Sequence, residues 1–427
     1  MAYKKIVRRD AYLDQLVQRM NNGMVKVVTG LRRSGKSFLL FRIFKNYLLA
    51  HKVKAPQIIE IALDNDKQAE LRNPIVLGEF LRKKIKGRSK YYVLIDEIQY
   101  CRDVENPALP GDRITFYNVL NGLLQKDNVD VYVTGSNSKM LSSDILTEFR
   151  GRGDQIHVRP LCFREYFDAV KGDFDDAWQN YVTYGGLPKV ALMKTDSEKS
   201  AYLKNLVDEV YLKDIVQRNN IENEEALASL VNVLSSATGS FTNPTKIENT
   251  FKSELGVTYT SKTIFAHLQM LKDAFFLSEA MRYNVKGRKY IGANSKYYFA
   301  DVGLRNARLN FRQLEATHLM ENVIYNELLV RGFNVDVGIV EVNAKQNGKN
   351  VKLQLEVDFV ATLGNKKLYV QSAYRMDDTE KQNQEMASLR KIDDSFAKII
   401  IVRDNVKPHQ NEDGFMIMGL RNFLLQE

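Results

Sequence analysis

The sequence predicts an α/β protein whose N-terminal part is a parallel sheet with helices on both faces. Over residues 1–160, apolar runs rich in Val, Ile and Tyr alternate with helical patterns, which is typical of a parallel sheet. The first run is followed at once by Gly30-Leu31-Arg32-Arg33-Ser34-Gly35-Lys36-Ser37, which fits G-x-x-x-x-G-K-[ST]. Another run ends in two adjacent acids, Asp96-Glu97. Together these features predict a nucleotide-binding fold of the P-loop type.

The elements of residues 1–160 follow from the same alternation. Strands are predicted at 25–29, 57–63, 91–96, 129–134 and 155–159, and helices at 36–49 and 114–124. Residues 161–222 have aromatic and leucine spacing typical of helices, interrupted by Tyr184-Gly185-Gly186-Leu187-Pro188. We interpret this second region as a helical lid on the nucleotide-binding core.

The pattern changes twice more along the chain. In residues 223–308, helical patterns at 244–255 and 261–271 precede a β-like stretch at 275–299 with a turn at 286–288, the order of a winged helix-turn-helix. In residues 309–427, a helix at 317–331 precedes strands at 334–342, 352–362 and 367–373. The sequence therefore predicts four regions, with boundaries at 160/161, 222/223 and 308/309.

Composition limits the classes of protein to consider. The chain has 427 residues, 44% of them hydrophobic and 27% charged, and no apolar stretch near the ~20 residues that span a bilayer. Two cysteines and five scattered histidines do not suit a disulfide framework or a zinc site. The charged N-terminus lacks the apolar segment of a secretory signal, so we expect a cytoplasmic protein without a membrane partner. The net charge of +10 permits nucleic-acid binding.

The glycine-containing loop predicts a nucleotide site. Glycines let the backbone wrap around phosphates, and the helix beginning behind the loop points unpaired N–H groups at the anion. We expect Lys36 to reach the β- and γ-phosphates and Ser37 to bind Mg²⁺. The residues predicted to contact the nucleotide are Gly30, Leu31, Arg32, Arg33, Ser34, Gly35, Lys36, Ser37 and Phe38.

The acids at the end of 91–96 supply the second half of such a site. Asp96 is predicted to hold the Mg²⁺ shell, and Glu97 to act as the base that polarises the attacking water. A third strand ends at Thr134-Gly135-Ser136-Asn137-Ser138, and its tip is predicted to lie between the other two strand ends. Asn137 or Ser136 would orient the water there.

An arginine is the remaining group that phosphoryl transfer calls for, because negative charge builds up on the γ-phosphate in the transition state. Arg152, with Arg150 second, is the candidate in Phe149-Arg150-Gly151-Arg152-Gly153. A basic surface turn is the alternative interpretation, and the sequence leaves open whether the arginine acts in its own subunit or in a neighbour within a homo-oligomer.

Taken together, these motifs resemble a prokaryotic group of AAA-type ATPases of the AAA+ superfamily, which carry a C-terminal nuclease-like domain of unknown function. The resemblance extends over nearly the whole chain. It implies binding and hydrolysis of ATP with Mg²⁺ and leaves the physiological partner open. Beyond the motifs above it includes Ile95-Asp96-Glu97-Ile98-Gln99, Lys213-Asp214-Ile215, Lys296-Tyr297-Tyr298-Phe299, Asp301-Val302-Gly303-Leu304 and Glu356-Val357-Asp358-Phe359.

The winged-helix interpretation places the helix at 261–271 in a DNA major groove, with a protein-docking element as the alternative. Its polar positions are Ser261, Lys262, Thr263, His267 and Gln269. Phosphate contacts are expected from the wing cations Arg282, Lys286, Arg288 and Lys289.

The C-terminal region resembles the restriction-endonuclease-like fold, whose active site reads PD-(D/E)-x-K and cleaves phosphodiesters with bound metal. Asp358 fits the first acid, with Glu321 or Glu327 from the preceding helix, and Gln371 can stand for the second. Ala373 occupies the position of the lysine. Lys366 and Lys367 lie about 20 Å from that position, and Lys381 remains a conceivable replacement. We therefore expect no nuclease activity.

Three functions are compatible with the sequence. The first is an ATPase that couples turnover to a DNA or protein partner. The second is a nucleotide-gated binding switch with little turnover, and the third is an ATP-dependent nuclease. The Asp96-Glu97 pair favours the first, because a pure switch does not need the Glu97 base.

Overall fold

The chain divides into two units, which are described separately. One consists of residues 1–160 with 273–275, and the other of residues 161–272 with 276–427. The computed structural model describes residues 7–136, 149, 151–256, 258–346, 349–376 and 379–426. No helix within these ranges is both long and apolar enough to cross a bilayer.

The first unit is built on a parallel five-stranded sheet, as the sequence predicts. The strands are β1 (Val25–Thr29), β2 (Ile58–Ala62), β3 (Tyr91–Asp96), β4 (Val104–Glu105), β5 (Arg113–Ile114), β6 (Val129–Thr134) and β7 (Gly153–His157). The sheet order is β2-β3-β6-β1-β7, and β4 pairs only with β5. The helices are Asp10–Gln18, the continuous run Lys36–Phe38, Leu39–Phe44 and Lys45–Ala50, then Pro74–Lys84 and Phe116–Leu123. Short 3-10 turns span Ala55–Gln57, Asp66–Arg72 and Ile98–Tyr100.

Both faces of this sheet are covered by helices. Every residue of β1 and β6 is buried. Alternate side chains of β3 enter different apolar clusters, Val93 and Ile95 on one face, Tyr92 and Leu94 on the other. The parallel strands are therefore near-continuous apolar runs, and their carboxyl ends meet at one edge of the sheet.

The second unit begins with helices and ends in a mixed sheet. Its helices are Phe163–Val170, Phe174–Tyr184, Pro188–Ala191, the run Asp196–Asn205, Leu206–Leu212 and Lys213–Asn219, then Glu224–Ser236, Pro244–Thr250, Phe251–Leu255, Ser261–Asp273, Val302–Arg308, Ala316–Val330, Thr379–Met386, Leu389–Lys391 and Leu420–Leu425. Its strands are β8 (Leu277–Asn284), β9 (Lys289–Phe299), β10 (Asn334–Gln346), β11 (Lys349–Leu363), β12 (Lys366–Ala373), β13 (Ala397–Val402), β14 (His409–Gln410) and β15 (Met416–Gly419).

One eight-stranded sheet runs through the second unit in the order β14-β15-β13-β12-β11-β10-β8-β9. β8 and β9 form an antiparallel hairpin over the stretch in which the sequence predicts a wing, and β8 pairs in parallel with β10. The sheet thus continues across the predicted boundary at 308/309.

A buried joint ties the Tyr184–Pro188 segment to the helix Val302–Arg308. The Asp301 carboxylate accepts hydrogen bonds from the N–H groups of Gly186 at 2.7 Å and Gly303 at 2.9 Å. A Cβ atom at Gly303 would lie 2.1 Å from the Tyr184 carbonyl oxygen. Glycine is needed here because the two segments approach within backbone contact.

Candidate functional site

The loop after β1 is shaped by close backbone approaches. The N–H of Val158 donates to the Thr29 carbonyl at 2.8 Å, and a Cβ at Gly30 would lie 2.0 Å from the Val158 carbonyl oxygen. Gly35 is left-handed, with φ of 99°, and the helix begins at the next residue. The loop therefore leads directly into a helix N-terminus, where unpaired N–H groups favour an anion.

Two side chains inside the loop fit a phosphate group. Lys36 is buried, and its ammonium donates to the carbonyls of Gly30 at 2.9 Å and Leu31 at 3.0 Å, which hold it over the loop. The buried Ser34 hydroxyl has no hydrogen-bond partner among the described residues. An unpaired buried hydroxyl is unfavourable, so an oxygen-rich ligand entering the loop would satisfy it.

The acid pair at the end of β3 is fixed by one residue of the neighbouring strand. The Thr134 hydroxyl, at the end of β6, donates to the Asp96 carboxylate and accepts from the N–H of Glu97 at 2.9 Å. Glu97 has a positive φ of 55°, which turns the chain out of the strand. Because β6 lies between β3 and β1, these groups lie at the edge of the sheet where the loop begins.

Asp96 is buried at this edge, and its pKa is raised. Burial raises its pKa to about 6, and repulsion from Glu97 and Asp64 adds to the shift. Hydrogen bonds from Thr134 and Ser37 act against it. Ser37 and Asp96, the two predicted Mg²⁺ ligands, are thus neighbours, and a nearby divalent cation would favour the ionised carboxylate.

Glu97 is held by the 3-10 turn that follows it. The Gln99 amide donates to the Glu97 carboxylate and to the Ser136 hydroxyl, the latter at 3.3 Å. Ser136, one of the two predicted water-orienting residues, therefore lies near the predicted base. The other, Asn137, is outside the described residues, as is Arg150.

Several polar residues of this edge were missed by the sequence analysis. Arg9 is buried, and its guanidinium donates to the carbonyls of Ser34 at 3.0 Å and Arg159 at 2.7 Å. His157, at the end of β7, lies 3.2 Å from the Thr29 hydroxyl. Burial, with nearby Arg159 and Lys36, lowers the pKa of His157 well below its ordinary value, so the imidazole is neutral. Asp64, which lies near Asp96, was also missed, although its position directly after the predicted strand at 57–63 is a signal that could have found it.

The structure places Arg152 away from the loop of its own subunit. Its carbonyl accepts from the N–H of Val25, the first residue of β1, whereas the loop follows the last residue. A five-residue strand spans about 13–17 Å. The geometry therefore does not support action on the nucleotide of the same subunit, and a role toward a neighbouring subunit stays a prediction.

Comparison with known proteins agrees with this geometry. Residues 22–167 match the model of an AAA domain, and residues 175–315 match a domain of unknown function (DUF8612). An uncharacterized protein of Haemophilus influenzae is 31% identical over 430 residues, covering 99% of this chain and 100% of that protein. The two proteins belong to one family. Residues 22–167 are accordingly a P-loop domain of the AAA type, called the AAA domain below.

Other similar proteins are more distant. An uncharacterized protein of Methanocaldococcus jannaschii is 27% identical, covering 94% of this chain and 86% of that protein. Among solved structures, Cdc6p from Pyrobaculum aerophilum is 12% identical, covers 76% of this chain and 96% of its own, and has a TM-score of 0.30. The Orc1 protein of Aeropyrum pernix in complex with DNA is 15% identical, covers 71% and 92%, and has a TM-score of 0.27.

The helix Ser261–Asp273 exposes Lys262, Thr263 and Gln269, three of the five polar residues predicted to face DNA. His267 is buried and hydrogen-bonded to the Tyr259 hydroxyl, so it cannot contact DNA, and that expectation was wrong. Phe265 is 62% exposed instead. The turn between β8 and β9 exposes Lys286, Arg288 and Lys289. Arg282 is engaged within the fold, donating to Gln354 at 2.6 Å.

Two of the predicted acids of the C-terminal region, Asp358 and Glu321, lie close to Lys296, a residue to which the sequence assigned no role. Lys296, on β9, pairs with Glu321 at 2.8 Å and Glu356 at 2.5 Å. Asp358 lies beside this group and accepts from the N–H of Ser372 at 2.7 Å. Burial and nearby Glu321 raise the pKa of Asp358 well above its ordinary value, and Lys296 acts against the shift.

Of the other residues considered for a nuclease site, one lies beside Asp358 and two do not take part. Gln371, which can stand for the second acid, lies opposite Asp358, and its side-chain oxygen accepts from the Asp358 N–H at 3.4 Å. Glu327 lies outside the group and pairs with Arg331 at 2.9 Å. Ala373 is buried in an apolar cluster.

Proposed function

We propose that the AAA domain binds ATP with Mg²⁺ and hydrolyses it. The observation that carries the proposal is the convergence of Lys36, Ser37 and the Asp96-Glu97 pair at one edge of the sheet, around a loop with an unpaired Ser34 hydroxyl. Phosphate groups are the ligands that such a loop and helix N-terminus accept.

The chain's own residues have distinct tasks in this reaction. Lys36 and the loop N–H groups bind the phosphates, while Ser37 and Asp96 would hold Mg²⁺, which supplies positive charge at the phosphates. Glu97 accepts a proton from water as the water oxygen bonds to the γ-phosphorus. The bond from that phosphorus to the bridging oxygen breaks, and ADP and phosphate leave.

Binding is tested with Lys36→Ala, which removes the cation held over the loop. We expect titration calorimetry with ATP and Mg²⁺ to show binding by the wild type and none by this variant. Lys45→Ala is the matched control, since Lys45 lies on the same helical run and pairs with Glu60 on β2. Equal ATP affinity in the wild type and Lys36→Ala would contradict the proposal.

We propose DNA as the partner that turnover serves. The support is the exposed tip of the β8–β9 hairpin, where Lys286, Arg288 and Lys289 are adjacent and open to solvent. Cations that neutralise phosphates make affinity fall steeply with salt. Removing all three should weaken duplex binding at low salt and reduce the slope of log K against log salt by about 3. Absence of binding to single- and double-stranded DNA at low salt would favour a protein partner.

We propose further that the C-terminal region is not a nuclease. The Lys296 ammonium already pairs with Glu321 and Glu356, and Ala373 stands where the fold's lysine is expected. The acids of this region then stabilise the sheet through an internal cation.

A further inference from the structure

Gln99 makes contacts that the proposed reaction does not yet use. It lies in the 3-10 turn Ile98–Tyr100, directly after the acid pair. Its amide nitrogen donates to one oxygen of the Glu97 carboxylate and to the Ser136 hydroxyl, which follows the end of β6. The side chain therefore links the predicted base to the neighbouring strand of the sheet.

The orientation of the Gln99 amide is determined by its partner. A carboxylate accepts hydrogen bonds and cannot donate them, so the nitrogen must face Glu97. The side-chain oxygen then points elsewhere, and it is buried with no hydrogen-bond partner among the described residues. An unpaired buried acceptor costs about 1–3 kcal/mol, which a donor arriving at the site would recover.

We propose that Gln99 is a positioning residue for hydrolysis, an inference that rests on the proposed ATPase function. Its nitrogen fixes one oxygen of Glu97, which leaves the other oxygen to accept the proton of the attacking water. Its oxygen accepts a hydrogen bond from a water that enters with the nucleotide. A base fixed in this way needs less reorganisation at the moment of reaction than a carboxylate free to rotate.

The alternative is that Gln99 only stabilises the turn. The two roles differ in what else the loss of Gln99 changes. If the role is structural, loss of Gln99 lowers the urea midpoint, the ATP affinity and the turnover together. A positioning role predicts that only the rate changes, and only while Glu97 can act as a base. Residues that act as one unit have effects that do not add.

The test measures kcat, the Kd for ATP and the urea midpoint for Gln99→Met and Gln99→Glu, each with and without Glu97→Gln. Methionine fills the same volume without polar groups, and glutamate keeps an acceptor but loses the donor. Gln125→Ala, at an exposed site of the same domain, is the control. We expect both Gln99 variants to lower kcat roughly tenfold to hundredfold with Kd within about twofold. In the Glu97→Gln background they should lower single-turnover rates no further.

Four outcomes would overturn the inference. Wild-type kcat in Gln99→Met, or an equal loss in both backgrounds, would overturn it and leave the ATPase proposal intact. Parallel losses of ATP affinity and urea midpoint would assign Gln99 to the turn alone. Absence of ATP turnover by the wild-type protein would overturn both the inference and the proposed function.

Discussion

At the scale of single residues, the arrangement of the site depends on Thr134. Its hydroxyl is the donor to Asp96 and the acceptor for the Glu97 N–H, so one side chain fixes both acids. The acids themselves could be predicted, because two carboxylates after an apolar run stand out in the sequence. The position of the third strand tip was also predicted, but the task of Thr134 was not, because it depends on the side-chain register between β3 and β6, which local sequence does not encode.

Replacement of Thr134 tests this arrangement. Thr134→Val keeps the shape of the side chain but leaves the Glu97 N–H and a buried carboxylate oxygen without this partner. We expect urea unfolding to show a loss of about 1–3 kcal/mol, together with reduced ATP turnover. Thr134→Ser keeps the hydroxyl and should lie close to the wild type in both measurements. A valine variant as stable and active as the serine variant would contradict the assignment.

At the scale of elements, the joint around Asp301 explains why the sequence contains two motifs, Tyr184–Pro188 and Asp301–Leu304, to which no structural role could be assigned from sequence. Gly185, Gly186 and Gly303 have no space for a Cβ atom, since one at Gly185 would lie 1.9 Å from an Asp301 carboxylate oxygen. The strand and helix bounds could be predicted because their apolar patterns are local. The joint could not, because it connects segments more than a hundred residues apart.

The joint makes stability depend on pH. Burial raises the pKa of Asp301 to about 6, although the N–H groups of Gly186, Leu304 and Gly303 favour the charged form. A pKa that is higher in the folded state means that protonation stabilises the fold. This contribution is fully present below about pH 4 and is lost as the pH rises through about 6, an effect of about 3 kcal/mol.

Urea unfolding of the wild type and Asp301→Asn between pH 4 and pH 8 isolates this effect, because asparagine does not titrate. The asparagine variant is expected to be less stable throughout, since its NH₂ group faces backbone donors. We expect the difference in unfolding free energy between the two proteins to shrink as the pH rises through about 6. A difference that is constant over this range would contradict the prediction.

At the scale of the whole molecule, sheet topology decides which parts of the function could be predicted. The order β2-β3-β6-β1-β7 brings three polar strand ends together, as parallel strands with buried runs require. The parallel pairing of β8 with β10 could not be predicted, because it joins a predicted wing to a sheet that follows it in sequence. No role could be predicted for Lys296, because it lies on β9, outside the region where a nuclease lysine would be sought.

The predicted absence of nuclease activity in the C-terminal region is tested by incubating the protein with supercoiled plasmid, ATP and either Mg²⁺ or Mn²⁺. We expect no nicked or linear product, because Lys296 is held by two carboxylates and Ala373 cannot assist water. The Asp358→Ala variant serves as the control for contaminating nuclease, since cleavage by a contaminant would be the same in both preparations. Metal-dependent cleavage by the wild type that disappears in Asp358→Ala would contradict the prediction.

The central claim is that Glu97 activates water at a bound nucleotide. The most direct measurement is phosphate release by the wild type and Glu97→Gln, with ATP affinity measured on the same preparations. Glutamine keeps the size of the side chain but cannot take a proton, so we predict similar affinity and a turnover lower by roughly 10²-fold or more. Phosphate release at the wild-type rate by Glu97→Gln would contradict the account.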